Sequence, residues 1–413
     1  FAFIEKGIGV INSNSKISYI VPNSWLKNLM MSECRKFILT NLGLEEIIPN
    51  LGNVFPDASV DTMIFVGSKN MDNDKINISE FKDSVIQFKH QISKERITKN
   101  LGFVFDVEVS EKILPIMLKM KDNTSTVESL FDIIRGINPY DIYTGQTKEI
   151  IEARAYHASF KKDETFVPEL KGKHVGRYSY NWDNMHYISY GSWLAAPRDL
   201  KYFEGERIVF REILGKTLVS TLISEDFKID RSLYIAKLLE EKKDIYDVKF
   251  ILGILNSTLL AYYFRFSNNE FDNLFPKIRV AEFKKLPIKN VSLSNQKKVA
   301  EYVDKLLSLN KQFQENAQKF QRTIQRKFNL EELSGKLKDW YLLSYAEFIK
   351  ELGKKKVKLS LSEEAEWEEY FLQEQKKAID IKHQIDTTDK DIDQMVYELY
   401  GLTDDEIAIV ENS

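Results

Sequence analysis

The chain has 413 residues, 43% hydrophobic and 12% aromatic, too many for one core and enough apolar material for two or three. A formal net charge of −3 gives no whole-chain sign of a polyanion partner, and a single cysteine, Cys34, excludes a disulfide framework. No apolar run approaches the roughly 20 residues that cross a bilayer, so a cytoplasmic, non-membrane protein is expected.

Residues 1–12 read as the end of an amphipathic helix. Their opening on an apolar run without an initiator Met suggests a cut inside a longer protein. KISYIVP (16–22) predicts a buried strand, broken at Pro22; Asn23 or Ser24 is then expected to cap a helix running through RKFILTN. EEIIPN (45–50) predicts a second strand, and VFPDASVDTMIFVG (54–67) a turn and a third. This order suits the closing half of an α/β sheet. The polar stretch 68–80 reads as a linker.

Residues 126–290 alternate short β runs, aromatics and loops, as in KHVGRYSYNW, MHYISYGSWL, ERIVFREIL and TLVSTLIS. They predict a mixed, irregular recognition-type domain in which the apolar helix 248–266 packs and which KIRVAEFKKLPI (277–288) closes. Two long helices follow, over 295–326 and 363–399. The first repeats apolar residues by fours and threes through Val299, Val303, Leu306, Phe313, Ala317, Phe320 and Ile324. The second does so through Trp367, Phe371, Ala378, Ile381, Ile385, Ile392, Met395 and Leu399. Each stripe needs a partner, so the two are expected to pack antiparallel as a coiled-coil-like pair. Asn310 either fixes the register or is a polar lapse in a core-facing helix. Thr403 and Glu406 form a capping box for a last short helix. Charge is uneven: 126–290 carry 25 Lys and Arg against 23 Asp and Glu, 291–328 carry 8 against 3, and 329–413 carry 11 against 21. An acidic end can thus mask a basic middle.

ISYIVPNSWLKN (17–28) and VFPDASVDTMIFV (54–66) resemble the adenine amino-methyltransferases of the TaqI-like and Eco57I-like families. LFDIIRGINPY (130–140), FVPELKGKHVGRY (166–178), ERIVFREI (206–213), ILGILNSTLLAYYF (251–264) and FPKIRVAEFKKLPI (275–288) follow in the order of a TaqI-like C-terminal specificity domain. IDQMVYELYGLTDDEIAIVE (392–411) resembles the tail common in type IIG restriction-modification enzymes. The resemblance implies an α/β and α+β chain in four parts. These are the end of a Rossmann-like methyltransferase sheet (1–70), a connecting segment (71–125), a target-recognition domain (126–290) and a helical C-terminal region (291–413). It implies that Phe55 stacks on a flipped adenine, a base that cannot reach its methyl donor inside a duplex. The glycine-rich loop for S-adenosylmethionine and the Asn-Pro-Pro-Tyr motif of such enzymes are missing from this sequence. The cofactor is therefore expected upstream in a parent enzyme, with Mg2+ only if a nuclease domain exists there. Asn138-Pro139-Tyr140 reads as a turn. This stretch alone is expected neither to methylate nor to cut.

The implied partner is double-stranded DNA, bound by a monomer or weak oligomer. Lys and Arg bind phosphates, and the Arg fork suits guanine. ERIVFREI as a strand puts Arg207 and Arg211 on one face with Val209. GKHVGRY offers Lys171, Lys173 and Arg177 in a mobile basic loop. Arg135, Arg198, Lys216, Lys277 and Arg279 complete the candidates. The five histidines show no zinc-ligand spacing, and no metal site is expected. The carboxylates of 363–369 and 386–393 read as solvated helix faces. A stand-alone DNA-specificity subunit or a non-catalytic phage-defence scaffold are the alternatives.

Overall fold

The computed structural model describes all residues except 14, 53, 56–59, 70–71 and 268–276, and the side chain of Leu29. The chain divides into two compact units, one of residues 1–121 with 263–271 and 403–413, the other of 122–262 and 272–402.

The first unit holds a mixed five-stranded sheet. Helix α1 (Ala2–Val10) precedes strand β1 (Lys16–Pro22), and helix α2 (Ser32–Asn41) separates it from β2 (Leu42–Ile48). Strands β3 (Thr62–Lys69), β4 (Lys75–Lys82) and β5 (Val85–Ser93) follow, in the spatial order β1-β3-β2-β4-β5. Strand β3 runs antiparallel to both β1 and β2, with Tyr19 opposite Phe65, while β2 and β4 are parallel. Ile38, Ile47, Met63, Phe65, Ile92 and Phe105 are fully buried. Trp25 stacks on Phe65 at 5.7 Å and donates its indole N–H to Cys34 Sγ at 3.2 Å.

Two expectations are corrected here. Asn23 and Ser24 do not cap an α-helix; they open a 3-10 turn, Asn23–Leu26, and α2 begins at Ser32 without a side-chain cap. Residues 68–80 are no linker, since they hold the end of β3 and most of β4. Their polar composition hides a period of two: Ile76 and Ile78 point into the core between polar neighbours. Asp83 and Ser84, at φ 51° and 64°, make the tight turn into β5.

The second unit contains two four-stranded sheets. One is antiparallel throughout, in the order Ser220–Ile223, Arg207–Arg211, Leu233–Leu238, Phe131–Arg135. The other orders Lys228–Ile229, Phe166–Leu170, Tyr187–Ser189 and His157–Ala158, with its first pair parallel. Ile137, Leu170, Ile188, Phe203, Val209 and Ile235 share one core. The chain crosses Asp230 so closely at Gly136 that a Cβ there would stand 2.3 Å from the Asp230 carbonyl oxygen.

Helix Val248–Asn256 packs on the long helices Leu293–Phe328 and Leu361–Tyr400. At Gly253 a Cβ would lie 2.9 Å from Val299, so only a side chain this small permits the crossing. The long helices run antiparallel: Phe328 meets Trp367 at 4.9 Å, Phe320 meets Phe371 at 5.9 Å, and Asn316 bonds Glu374 at 3.2 Å. Their far end encloses Trp340, which stacks on Phe320 at 3.8 Å, with Phe348 and Leu352 from the intervening helix Tyr345–Lys354. Asn310 donates to Leu306 O of its own helix at 2.8 Å, which is a bond along the helix and sets no register across the pair.

Candidate nucleic-acid interface

One end of the antiparallel sheet gathers cations from five separate stretches of sequence. Arg135 ends its strand opposite Tyr234, and Arg211 ends the next-but-one strand opposite Leu233. Arg231 lies just before Leu233 and donates to Asn138 Oδ1 at 3.2 Å. Ile213 bridges Lys277, and Ile278 N–H donates to Glu212 O at 2.9 Å, which brings Lys277 and Arg279 to the same edge. Arg198 donates to Gly136 O at 3.2 Å and feels the charge of Arg135; burial, followed by that repulsion, lowers its affinity for its proton. Glu212, Asp230 and Glu282 are the carboxylates interleaved with these six cations. Glu212 holds Arg135 at 2.6 Å, Asp230 accepts Ser232 N–H at 2.8 Å, and Glu282 accepts Arg279 N–H at 2.8 Å.

Arg211 is half-buried and makes no side-chain hydrogen bond or ion pair among the described residues, so its fork is available. Lys216 and Lys277 are exposed. Arg135 is further fixed by donating to Arg231 O at 2.7 Å and by lying 5.7 Å over the Tyr234 ring.

The remaining candidates are engaged by other groups of the protein, Arg207 within its core and Lys173 at its surface. Arg207 is 0% exposed and donates to Gly205 O and Glu225 O, each at 2.7 Å. Burial pulls its pKa down to about 10. Strand alternation put Arg207 on the face of Arg211, as expected, but that face is covered where Arg207 stands. Arg177 is gripped by both oxygens of Asp389, at 2.7 and 2.8 Å, and donates to Asn256 O at 2.8 Å. Lys171 pairs with the fully buried Glu169 at 3.2 Å, and Lys173 with Asp183 at 3.0 Å. The Gly172–His174 stretch is a 3-10 turn pinned by Gly172 N–H to Ser232 Oγ at 2.9 Å, so this loop is structured where a mobile one was expected.

Two groupings were invisible in the spacing. Asp389 and Asp393, read as a solvated face, turn inward: Asp393 accepts Thr258 N–H at 2.8 Å and its hydroxyl at 2.6 Å, and burial raises its carboxyl pKa. His174, Asp183 and His186 bring three ligand atoms within 4.8 Å of one another. The hydrogen bonds argue against a metal there. His174 Nδ1 accepts Lys171 N–H at 3.0 Å, so the neutral ring carries its proton on Nε2 and gives it to Asp183 at 3.2 Å. Burial keeps His174 below its ordinary pKa, which favours that neutral form. Burial would raise the Asp183 carboxyl, but donors from His186, Lys173, Met185 N–H and His174 hold it well below the usual range.

In the first unit Phe55 is 46% exposed beyond the end of β2, with Val54 equally exposed, so it is no core aromatic. Pro56 of its turn, and residues 275–276 of the closing segment, lie outside the described residues.

Residues 167–288 match the TaqI-like C-terminal specificity domain, and residues 1–55 match the Eco57I restriction-modification methylase. The chain resembles restriction-modification enzymes. Residues 292–396, most of the long-helix region, match a domain of unknown function. A protein of Methanocaldococcus jannaschii, assigned by name only as a type II restriction enzyme and methyltransferase, is 23% identical over 307 residues. That stretch is 71% of this chain and 25% of the relative, so the chain spans about a quarter of its length. Among solved structures, the type IIL restriction-modification enzyme MmeI, in complex with DNA, is similar over 98% of this chain and 50% of its own, at 12% identity and TM-score 0.45. The type IIG restriction endonuclease BpuSI is similar over 73% and 43%, at 12% identity and TM-score 0.33.

All the cations of the sheet end except Arg135 fall inside the specificity-domain match, and Phe55 is the last residue of the methylase match. Arg231 is the cation of this cluster that sequence reasoning missed. It stands in a turn with no strand pattern around it, and only the pairing of Leu233–Leu238 carries it to the cationic edge.

Proposed function

We propose that this chain is the target-recognition and C-terminal part of an S-adenosylmethionine-dependent adenine-N6 DNA methyltransferase of the type IIG restriction-modification kind, and that its own task is sequence-specific binding of duplex DNA. The observation that carries this reading is the cationic end of the antiparallel sheet, where Arg211 keeps an unengaged guanidinium on a packed strand within the specificity-domain match. A fork aimed by a rigid strand suits O6 and N7 of guanine in the major groove, and the surrounding cations suit phosphates. The first sheet fits the end of a Rossmann-like methyltransferase sheet, because β3 enters antiparallel between β1 and β2. Phe55, half-exposed, is the residue we assign to stacking on the flipped adenine.

The expected result is a contrast between two substitutions. Arg211→Ala weakens binding to the preferred sequence by about 1–3 kcal/mol and relaxes preference at one base pair. Lys216→Ala weakens binding to all duplexes alike and lowers the salt slope by about one unit. Fluorescence anisotropy over several salt concentrations, with sites selected from a randomised duplex pool, measures both. Equal loss on all sequences for Arg211→Ala makes it a phosphate clamp; no loss in either variant overturns the assignment.

The described residues do not fit S-adenosylmethionine. Strand β1 leaves its sheet through Pro22 into a 3-10 turn, and no glycine-rich turn joins a strand to a helix among the described residues of that sheet. Backbone N–H groups that would cradle such a ligand are closed on the turn itself, as in Lys27 N–H to Ser24 O. Isothermal calorimetry of this chain with S-adenosylmethionine is expected to show no binding in the micromolar range. A micromolar Kd would relocate the cofactor site.

A further inference from the structure

The loop after strand Phe131–Arg135 holds one aromatic ring out in water. Tyr143 is 94% exposed and Ile142 49%. The loop beneath them is well tied. The Asp141 carboxylate accepts Tyr143 N–H at 2.9 Å, and Thr144 Oγ1 donates to Asp141 O at 2.7 Å. The Gln146 amide donates to Pro139 O and to Trp193 O, each at 3.0 Å, while its oxygen accepts Asp141 N–H at 3.0 Å. Gly145, at φ +85°, closes the turn. The Asp141 and Gln146 side chains are thus used to fix the backbone, while the ring itself covers no core.

The loop that carries it leaves directly from the cationic sheet end. Asn138, five residues earlier, is the acceptor for Arg231. Residues 138–139 pair with 195–196 through Asn138 N–H to Ala196 O at 3.1 Å and Ala195 N–H to Pro139 O at 3.3 Å, and Arg198 follows directly. The Trp193 ring, 43% exposed, belongs to the same paired segment.

We infer that Tyr143 is a stacking residue, which packs its ring on a nucleobase at a base step that the bound duplex opens. The inference rests on the DNA reading above and adds a contact of a different kind to it. Phosphates are held by charge, whereas a ring face recognises any base through stacking and is indifferent to salt. A side chain mounted on a turn already fixed by five hydrogen bonds loses little freedom on insertion, and its hydroxyl can remain hydrated at the groove edge. Insertion of such a wedge unstacks a step and bends the duplex towards more protein surface.

The test uses the full chain and a duplex pool with a randomised interior in which 5-iodouracil replaces thymine. Binding is followed by anisotropy, and near-ultraviolet cross-links are mapped by peptide mass spectrometry. A cross-link at Tyr143 is expected, with binding about 5- to 150-fold weaker in Tyr143→Ala and unchanged in Tyr143→Phe, which keeps the ring. If the unaltered chain binds the pool while Tyr143→Ala binds as tightly and cross-links fall elsewhere, the stacking role is overturned and the DNA reading stands. If the unaltered chain fails to bind the pool even at low salt, the DNA reading itself falls and takes this inference with it.

Discussion

Arg207→Ala is expected to destabilise the second unit by about 3–5 kcal/mol, through a cavity and stranded backbone acceptors. The side chain is fully buried, and its guanidinium satisfies the carbonyls of Gly205 and Glu225, which then face no donor. Arg207→Lys recovers only part of the loss, because one ammonium cannot reproduce a fork that spans two carbonyls. Thermal unfolding, with hydrogen exchange on strands Arg207–Arg211 and Ser220–Ile223, reads the effect. A variant that keeps its unfolding temperature but loses DNA affinity would return Arg207 to the interface.

Arg177→Ala is expected to cost roughly 2–4 kcal/mol, somewhat under the range for a fully buried pair because both partners keep some exposure. It removes a two-pronged ion pair with Asp389 and the bond to Asn256 O, and leaves Asp389 and the buried Asp393 without their shared cation. The Asn256 side chain accepts Ser220 N–H at 3.1 Å and donates to Ser220 O at 3.0 Å, so the disturbance reaches the antiparallel four-stranded sheet. A double-mutant cycle of Arg177→Ala and Asp389→Ala is expected to show strong coupling, with the double variant recovering stability relative to the sum. Additive losses would mean that the pair contributes nothing of its own.

The strands of the first sheet were legible as strands where the apolar period was clean, as in KISYIVP and DTMIFV, and so were the long helices, whose stripes meet as their spacing required; KISYIVP, expected to be buried, is instead the edge strand, with none of its residues buried. Strand Lys75–Lys82 was lost because its two buried isoleucines sit among polar residues that suggest a loop. For the site, residue type was readable but engagement was not. Arg207 and Arg211 differ by two positions on one strand face, yet one is sealed under the chain around Glu225 and the other faces open space. That difference is set by segments far away in sequence. The same holds for Arg177, whose acceptor lies 212 residues further on, and for Asp183, which draws two histidines together at a spacing that no zinc pattern would flag.

The contact between Arg177 and Asp389 also bears on how the specificity-domain-like segment could be exchanged between such chains. An exchange of residues 126–290 alone would part the guanidinium from its carboxylate, and would separate Thr258 from the Asp393 side chain that closes its helix. Each graft would arrive with an unpaired, partly buried cation and leave behind two unpaired, partly buried acids. A transferable cassette must therefore run through the second long helix to Tyr400, so that the sheets of the second unit and the helix that braces them are inherited together.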